Sequence, residues 1–340
     1  MSSLHGFGLG IVSENAQGAV LDTFYPQPVA QISDELANAL VGVSGRLDAA
    51  QLRELSTALE AAGDSAGAEL STQLATTLAT ADCTVVATPL VENTPPGSVE
   101  EAYLKLQLIS HRLVKPHQTD LNGVFGLLPN VAWTDQGPVD LEELPKRQLD
   151  ARLKGSVLEV SSVDKFPKMT NYVVPAGVRI AHTARVRLGA YLGEGTTVMH
   201  EGFVNFNAGT EGPGMIEGRI SAGVWVGEGS DLGGGCSTMG TLSGGGDIVI
   251  SVGKECLIGA NAGLGIPLGD RCTIEAGLFV TAGTKVSVLD EGGDTIETIS
   301  ARTLAGRSDL LFRRHSSTGA VQCLTNKSAI ELNEMLHANN

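Results

Sequence analysis

From residue 172 onward the chain repeats neither every two residues nor every 3.6, but every six. Counting in sixes gives Val174, Ile180, Val186, Leu192, Val198 and Val204, then Ile220, Val226 and Leu232, then Ile250, Cys256, Ala262, Leu268, Ile274, Val280 and Val286. All sixteen positions, in three phased runs, are apolar. Glycine often follows one of them, as in Leu192-Gly193, Val226-Gly227, Leu232-Gly233 and Leu268-Gly269. A short fixed period makes each unit one face of a stacked coil, its sixth-residue aliphatic pointing inward and a small residue beside it at the corner. With three faces to a coil, this is the hexapeptide signature of a triangular parallel β-helix. The competing fold, a glycine-rich sandwich of alternating strands, has a period of two and does not account for three runs that each hold six-residue phase.

Composition agrees with a coil of tight corners: 43 glycines and only 4% aromatic residues in 340. That length exceeds one small domain at the usual ~150 residues per unit. The formal charge of −15 argues against a general nucleic-acid or anionic-membrane binder, since both need clustered Lys and Arg. The opening MSSLHGFGLGIVSENAQG has no basic stretch followed by an apolar one, and no run approaches the ~18 apolar residues of a membrane helix. A cytoplasmic protein is the expectation. The cysteines, Cys83, Cys236, Cys256, Cys272 and Cys323, form no CxxC pair and are odd in number, so reduced thiols are expected.

The N-terminal part, 1–150, reads as an α/β domain. Stretches 31–44, 47–61 and 98–113 space their apolar residues by three and four and predict helices, the last opening with a Ser-x-x-Glu cap. The β-branched CTVVATPLV at 83–91 predicts a strand. Residues 128–149, with three prolines and alternating charge, read as a connection. A connecting segment over 151–171 then leads to the β-helix over 172–290, followed by a C-terminal segment over 291–340.

The coil's phase breaks between Val204 and Ile220 and again between Leu232 and Ile250. A stacked coil can eject a loop at a corner without disturbing its neighbours, so insertions are expected at 205–219 and 233–249. Loops on a rigid scaffold are where binding and catalysis concentrate. The first break holds Asn205, Asn207, Glu217 and Arg219, and the second, GGGCSTMGTLSGGGD, is glycine-dense enough for backbone N–H groups to approach a ligand closely.

HEGFVNFNAGT, MIEGRISAG, GGGCSTMGTLSGGG, LIGANAGLGIPLGD, IEAGLFVTAGT and LLFRRHSSTGAV closely resemble segments of the tetrahydrodipicolinate N-succinyltransferases, in the longer form of actinobacteria and pseudomonads. The resemblance is specific over about 160–340 and vaguer before. It implies a homotrimer of left-handed β-helices that transfers succinyl from succinyl-CoA to the amino group of ring-opened tetrahydrodipicolinate in lysine biosynthesis. By the family's motifs, Glu217 of Glu-Gly-Arg is the catalytic carboxylate, as acyl-anhydride nucleophile or as base and orienting group. The backbone N–H of Gly240 is the oxyanion donor. The same matching places succinyl-CoA on Arg219, Gly234, Ser237, Ala260, Glu275, Ala276, Gly283 and Arg313-Arg314-His315-Ser316. Arginines suit that task, because a guanidinium pairs with phosphate or with the free succinyl carboxylate. The family also carries a cation on the trimer axis. Here Glu201 would hold Mg²⁺ together with water, while the expected aspartate position is Ala184. Ser300 stands where the family has a CoA-contacting lysine.

Other functions share the coil. An N-acetyltransferase using acetyl-CoA often works with a histidine base, and neither break contains a histidine. A metal-dependent hydratase would use histidines such as His182 and His200, eighteen residues apart, but a third is missing from the coil. A non-enzymatic scaffold would need capped ends, which the N-terminal helices and SAIELNEMLHANN could supply.

Overall fold

The computed structural model describes residues 5–78, 80–81, 83–240 and 249–325. The expected C-terminal cap SAIELNEMLHANN and most of the second break, 241–248, lie outside these. The chain divides into two compact units, Met1–Pro167 with Asn171–Val173, and Lys168–Thr170 with Val174–Asn340.

The first unit mixes helices and sheet. Its central strand, Gly6–Glu14, pairs antiparallel with Val20–Phe24 and with Thr84–Leu90, the strand expected at 83–91. Ala49–Ala61 is a helix because Asp48 and Gln51 satisfy each other's backbone N–H groups in a capping box. Val99–Ser110 follows the Ser98 cap, whose hydroxyl accepts from the Glu101 N–H. The helix expected over 31–44 shrinks to Asp34–Ala39, with Gly42 beyond it in the left-handed region. Ser65–Thr77 is a further helix, Ala-rich and only weakly periodic.

The stretch expected as a connection folds. Val131–Thr134, Gly137–Asp140 and Val160–Asp164 form a three-stranded antiparallel sheet, and Leu144–Leu153 is a helix. The prolines that suggested a linker occupy positions where no N–H is missed: Pro138 lies on an edge strand and Pro145 in a helix's first turn.

The second unit is a stack of parallel rungs on three faces. The first face runs through Arg179–Ile180, Thr196–Val198, Gly214–Ile216, Asp231–Leu232, Leu257–Ile258 and Thr273–Ile274. The second holds Phe203–Val204, Arg219–Ile220, Ser237–Thr238, Gly263–Gly265 and Phe279–Thr281. The third holds Ala190–Leu192, Ala208–Thr210, Trp225–Val226 and Ser251–Val252. Two inward rows fill the interior: aliphatics such as Leu192, Val198, Ile216 and Ile274, and two residues before each a smaller side chain such as Ala190, Thr196, Ala208 or Cys272.

The phase breaks are of two kinds. Residues 205–219 do not protrude: Ala208–Thr210 and Gly214–Ile216 pair in register with the rung before. Phase slips because the corner between Ile216 and Arg219 is two residues long, Glu217 and Gly218, against four at Gly233–Cys236 on the next rung. Phe203 therefore faces Arg219, sixteen residues on. A second short corner lies between Leu264 and Leu268, whose N–H donates to the Ser251 carbonyl. Ile250, Cys256 and Ala262 thus sit on the small-residue row, and the count in sixes crosses to the aliphatic row at Leu268 unnoticed, since both rows are buried. The other break is a true insertion. Leu232 faces Ile258, twenty-six residues on, and the added chain leaves the coil after Thr238, so 233–238 are rung residues. Val174, first in the count, is 64% exposed and precedes the first rung.

The C-terminal segment continues the first face. Leu310–Arg314 pairs parallel with Thr273–Ile274 and antiparallel with Val321–Thr325. Lys285–Leu289 and Thr295–Ser300 form a hairpin beside them.

Candidate active site

The corner between the first and second faces collects residues far apart in sequence. On successive rungs it carries Glu201, then Glu217-Gly218, then Gly234, then Ala260, then Glu275-Ala276. Backbone bonds fix the stack. The Glu217 N–H donates to Leu232 O at 2.8 Å, the Asn261 N–H to Gly234 O at 2.9 Å, the Gly277 N–H to Ala260 O at 2.8 Å, and the Glu275 N–H to Phe312 O at 2.9 Å.

Because its corner is two residues short, Glu217 is recessed between longer neighbours and half-buried. The Gly235 N–H reaches its carbonyl at 3.3 Å, and its carboxylate approaches Gly234. Beneath it, burial and then the Glu217 charge push the Cys236 thiol up to about 12. Cys236 therefore stays protonated at neutral pH.

On the adjoining second face, Arg219 is exposed and its Nε and Nη2 donate to Ser237 Oγ at 3.2 and 2.7 Å. These two residues share a cavity of about 480 Å³ with Arg185, Glu201, Phe203 and Cys236. Arg185 was not singled out from the sequence. Its position just before the inward Val186 sets it in the outward column of Phe203, Arg219 and Ser237, and counting outward positions instead of inward ones would have found it.

The remaining candidates spread around this corner. The Arg314 N–H donates to Glu275 Oε2 at 2.6 Å, so the Arg313–Arg314 strand end joins the stack, and Arg313 Nε donates to Gln322. His315 and Ser316 follow in a turn in which His315 Nδ1 lies 2.9 Å from Thr318 Oγ1. Gly283 is exposed at the opposite edge of the second face, the edge from which Gly240 leaves as the last residue described before the insertion. Ser300 pairs across a hairpin with Lys285, whose Nζ donates to its hydroxyl at 3.5 Å, so a lysine does stand beside that position.

The residues of one chain do not fit the expected cation. Glu201 and Ala184 are both exposed, Ala184 brings no donor atom, and the Arg185 guanidinium is bonded to the Glu201 carbonyl. Among the described residues no three His, Cys, Asp or Glu side chains converge. His182 and His200 fall on successive rungs, both exposed, without a third ligand among the described residues.

Two family models match: tetrahydrodipicolinate N-succinyltransferase middle, over residues 128–168, and hexapeptide repeat of succinyl-transferase, over residues 249–282. A protein of Pseudomonas putida named 2,3,4,5-tetrahydropyridine-2,6-dicarboxylate N-succinyltransferase is 63% identical over 100% of this chain and 99% of its own. Proteins of the same name from Pseudomonas aeruginosa and Vibrio cholerae are 62% and 58% identical, covering 99% and 98% of both chains respectively. A solved structure from Campylobacter jejuni, named as a 2,3,4,5-tetrahydropyridine-2-carboxylate N-succinyltransferase, superposes with a TM-score of 0.86 at 33% identity, over 97% of this chain and 94% of that one.

Proposed function

The chain belongs to the tetrahydrodipicolinate N-succinyltransferase family, and from that premise we propose that the recessed corner at Glu217 is where it works. The enzyme is a CoA-dependent acyltransferase that moves succinyl from succinyl-CoA to the amino group of tetrahydrodipicolinate, a step of lysine and diaminopimelate synthesis. The amine attacks the thioester carbon, the C–N bond forms as the C–S bond breaks, and CoA leaves as the thiol. Glu217 accepts the proton the amine sheds and returns it to the departing sulfur, its recess limiting water around the carboxylate. In the homotrimer the Gly240 N–H of a neighbouring copy, at the opposite edge of its second face, stabilises the oxyanion. Arg219, oriented by Ser237, receives the succinyl carboxylate. Gly234, Ala260, Glu275-Ala276, Gly283 and the 313–316 strand end line the path of the CoA arm.

The observation that carries this reading is one of place. Glu217, Gly234, Ala260 and Glu275 are scattered through the sequence, yet stack on one corner beside Arg219 and Ser237. The reading brings with it a left-handed coil, a cytoplasmic location and a homotrimer, in which a second copy would close the open side of the cavity.

The test is CoA release with tetrahydrodipicolinate and either succinyl-CoA or acetyl-CoA. Succinyl-CoA should be the better donor, and Glu217→Gln should lower kcat by about 10²–10⁴-fold. Turnover that survives the substitution would remove Glu217 from the mechanism, and equal use of acetyl-CoA would remove the acyl specificity.

A further inference from the structure

The cavity on the second face holds two arginines that make no ion pair among the described residues. Arg185 donates through Nε to Gly202 O at 3.1 Å and through Nη2 to Glu201 O at 2.7 Å. Among the described residues Arg219 donates only to Ser237 Oγ. Neither makes an ion pair among the described residues, and the exposed Glu201 carboxylate in the same cavity is not bonded to either. A carbonyl or hydroxyl orients a guanidinium but leaves its charge, and further N–H groups remain for an anion. In a chain with 38 acidic residues, two such arginines in one cavity constitute an anion-binding arrangement.

Its spacing is set by the coil. Val186 pairs with Val204, and Phe203 with Arg219, so Arg185, Phe203 and Arg219 occupy three successive rungs. Two rung steps separate the arginines at the backbone by about 9.5 Å. An extended seven-carbon diacid, with six bonds between its carboxyl carbons, spans roughly 7.6 Å, twice the three-bond Cα–Cα distance. A chain of that length reaches from the Glu217 corner, on the rung of Arg219, to Arg185 two rungs away, with its methylenes passing the Phe203 ring. The Arg187 guanidinium, 6.0 Å from that ring's centroid, adds positive charge along the same side. Arg219 and Ser237 adjoin the Glu217 corner, so the donor's end of the cavity is theirs and the far end is Arg185's.

We propose that Arg185 selects the acceptor by binding the carboxylate farthest from the amino group that is acylated. The inference rests on the family reading for the identity of the acceptor as a diacid. Ring opening of the 2,6-dicarboxylate by water gives a seven-carbon chain with a carboxylate at each end and a ketone beside the remote one, and that remote end distinguishes it from an ordinary amino acid. Arg185 thereby acts on acceptor binding and not on the donor.

The experiment compares a seven-carbon amino diacid with the same chain carrying a methyl group in place of the remote carboxylate. Binding is read by calorimetry with CoA present, and turnover by CoA release from succinyl-CoA, for the full-length wild type, Arg185→Gln and Arg185→Lys. Wild type is expected to favour the diacid by about 10- to 100-fold. Arg185→Gln should bring that ratio close to one and leave the KM for succinyl-CoA in place, and Arg185→Lys should restore part of the preference. The ratio is an internal control, because a variant damaged in folding loses both acceptors alike. A ratio that persists in Arg185→Gln, or a change confined to the KM for succinyl-CoA, overturns the proposal. Failure of the family reading shows separately, as diacid binding that depends on Arg185 without any CoA release.

Discussion

In the coil, a buried hydroxyl finds its partner on the same or the neighbouring rung: Thr196 Oγ1 lies 2.7 Å from Thr210 Oγ1, and Ser230 donates to Gly253 O at 2.7 Å. In the first unit the partners converge from distant parts of the chain. Tyr172 donates to Asp22 at 2.5 Å, Gln107 accepts from the Tyr25 N–H and donates to Thr23 O, and buried Lys105 donates to Thr94 O at 2.7 Å. The contrast concerns how each region fails. A stack whose rungs contact only their neighbours takes damage locally, whereas a polar core assembled from several elements is lost as a unit.

The sharpest way to break that comparison is Gly209→Ala. A methyl group there would stand 2.0 Å from the Tyr191 carbonyl, on the rung where the Tyr191 and Trp225 rings meet edge to face at 5.3 Å across the glycine. A loss of about 3 kcal/mol is expected. Hydrogen exchange should rise in the rungs flanking residue 209 while the first unit keeps its protection. Exchange rising equally in both units would mean that the coil does not behave as a nearest-neighbour stack.

Tyr172→Phe probes the other side. It removes the donor to a buried carboxylate and should cost about 2 kcal/mol, raising exchange throughout the first unit's sheet and helices. Damage confined to the residues around Asp22 would erase the distinction between the two regions.

The smallest effect is one of pH. Burial raises the Asp22 carboxyl above its ordinary value, with hydrogen bonds from Ser13 and Tyr172 opposing. The folded state then holds a proton that the unfolded chain has already released, so stability falls as pH rises from the ordinary carboxylate value of 3.8 to the raised one. Asp22→Asn should flatten that fall in urea titrations across the acid range, and Tyr172→Phe should extend it to higher pH. An unchanged profile in Asp22→Asn would assign the slope to other carboxylates.

Much of the second unit was legible because a repeat writes its geometry into adjacent residues. Each hexapeptide shows its inward aliphatic and its corner, and the motif around Glu217-Gly218-Arg219 lies in one short stretch. The slip at Glu217 was visible as a break in phase, but its form was not. A corner shortened by two residues and an ejected loop interrupt the count alike, and only the pairing of Ala208–Thr210 and Gly214–Ile216 with the rungs before them tells the two apart. The crossing from Ala262 to Leu268 left no mark, since both inward rows accept small apolar residues. In the first unit the helices over 47–61 and 98–113 were legible from their apolar spacing, the latter also from its Ser98 cap, while Pro138 and Pro145 gave a folded sheet and helix the look of a linker.

The sequence alone determined the period of six, the aliphatic interior, the capped helices and the family motifs, because these depend on side chains within a few residues of one another. The tertiary structure decided that Glu217 is recessed, that Gly234, Ala260 and Glu275 share its corner, and that Arg185 stands two rungs from Arg219. Those neighbours are set by register between rungs sixteen, eighteen or twenty-six residues apart, and register is a property of the hydrogen bonds between rungs.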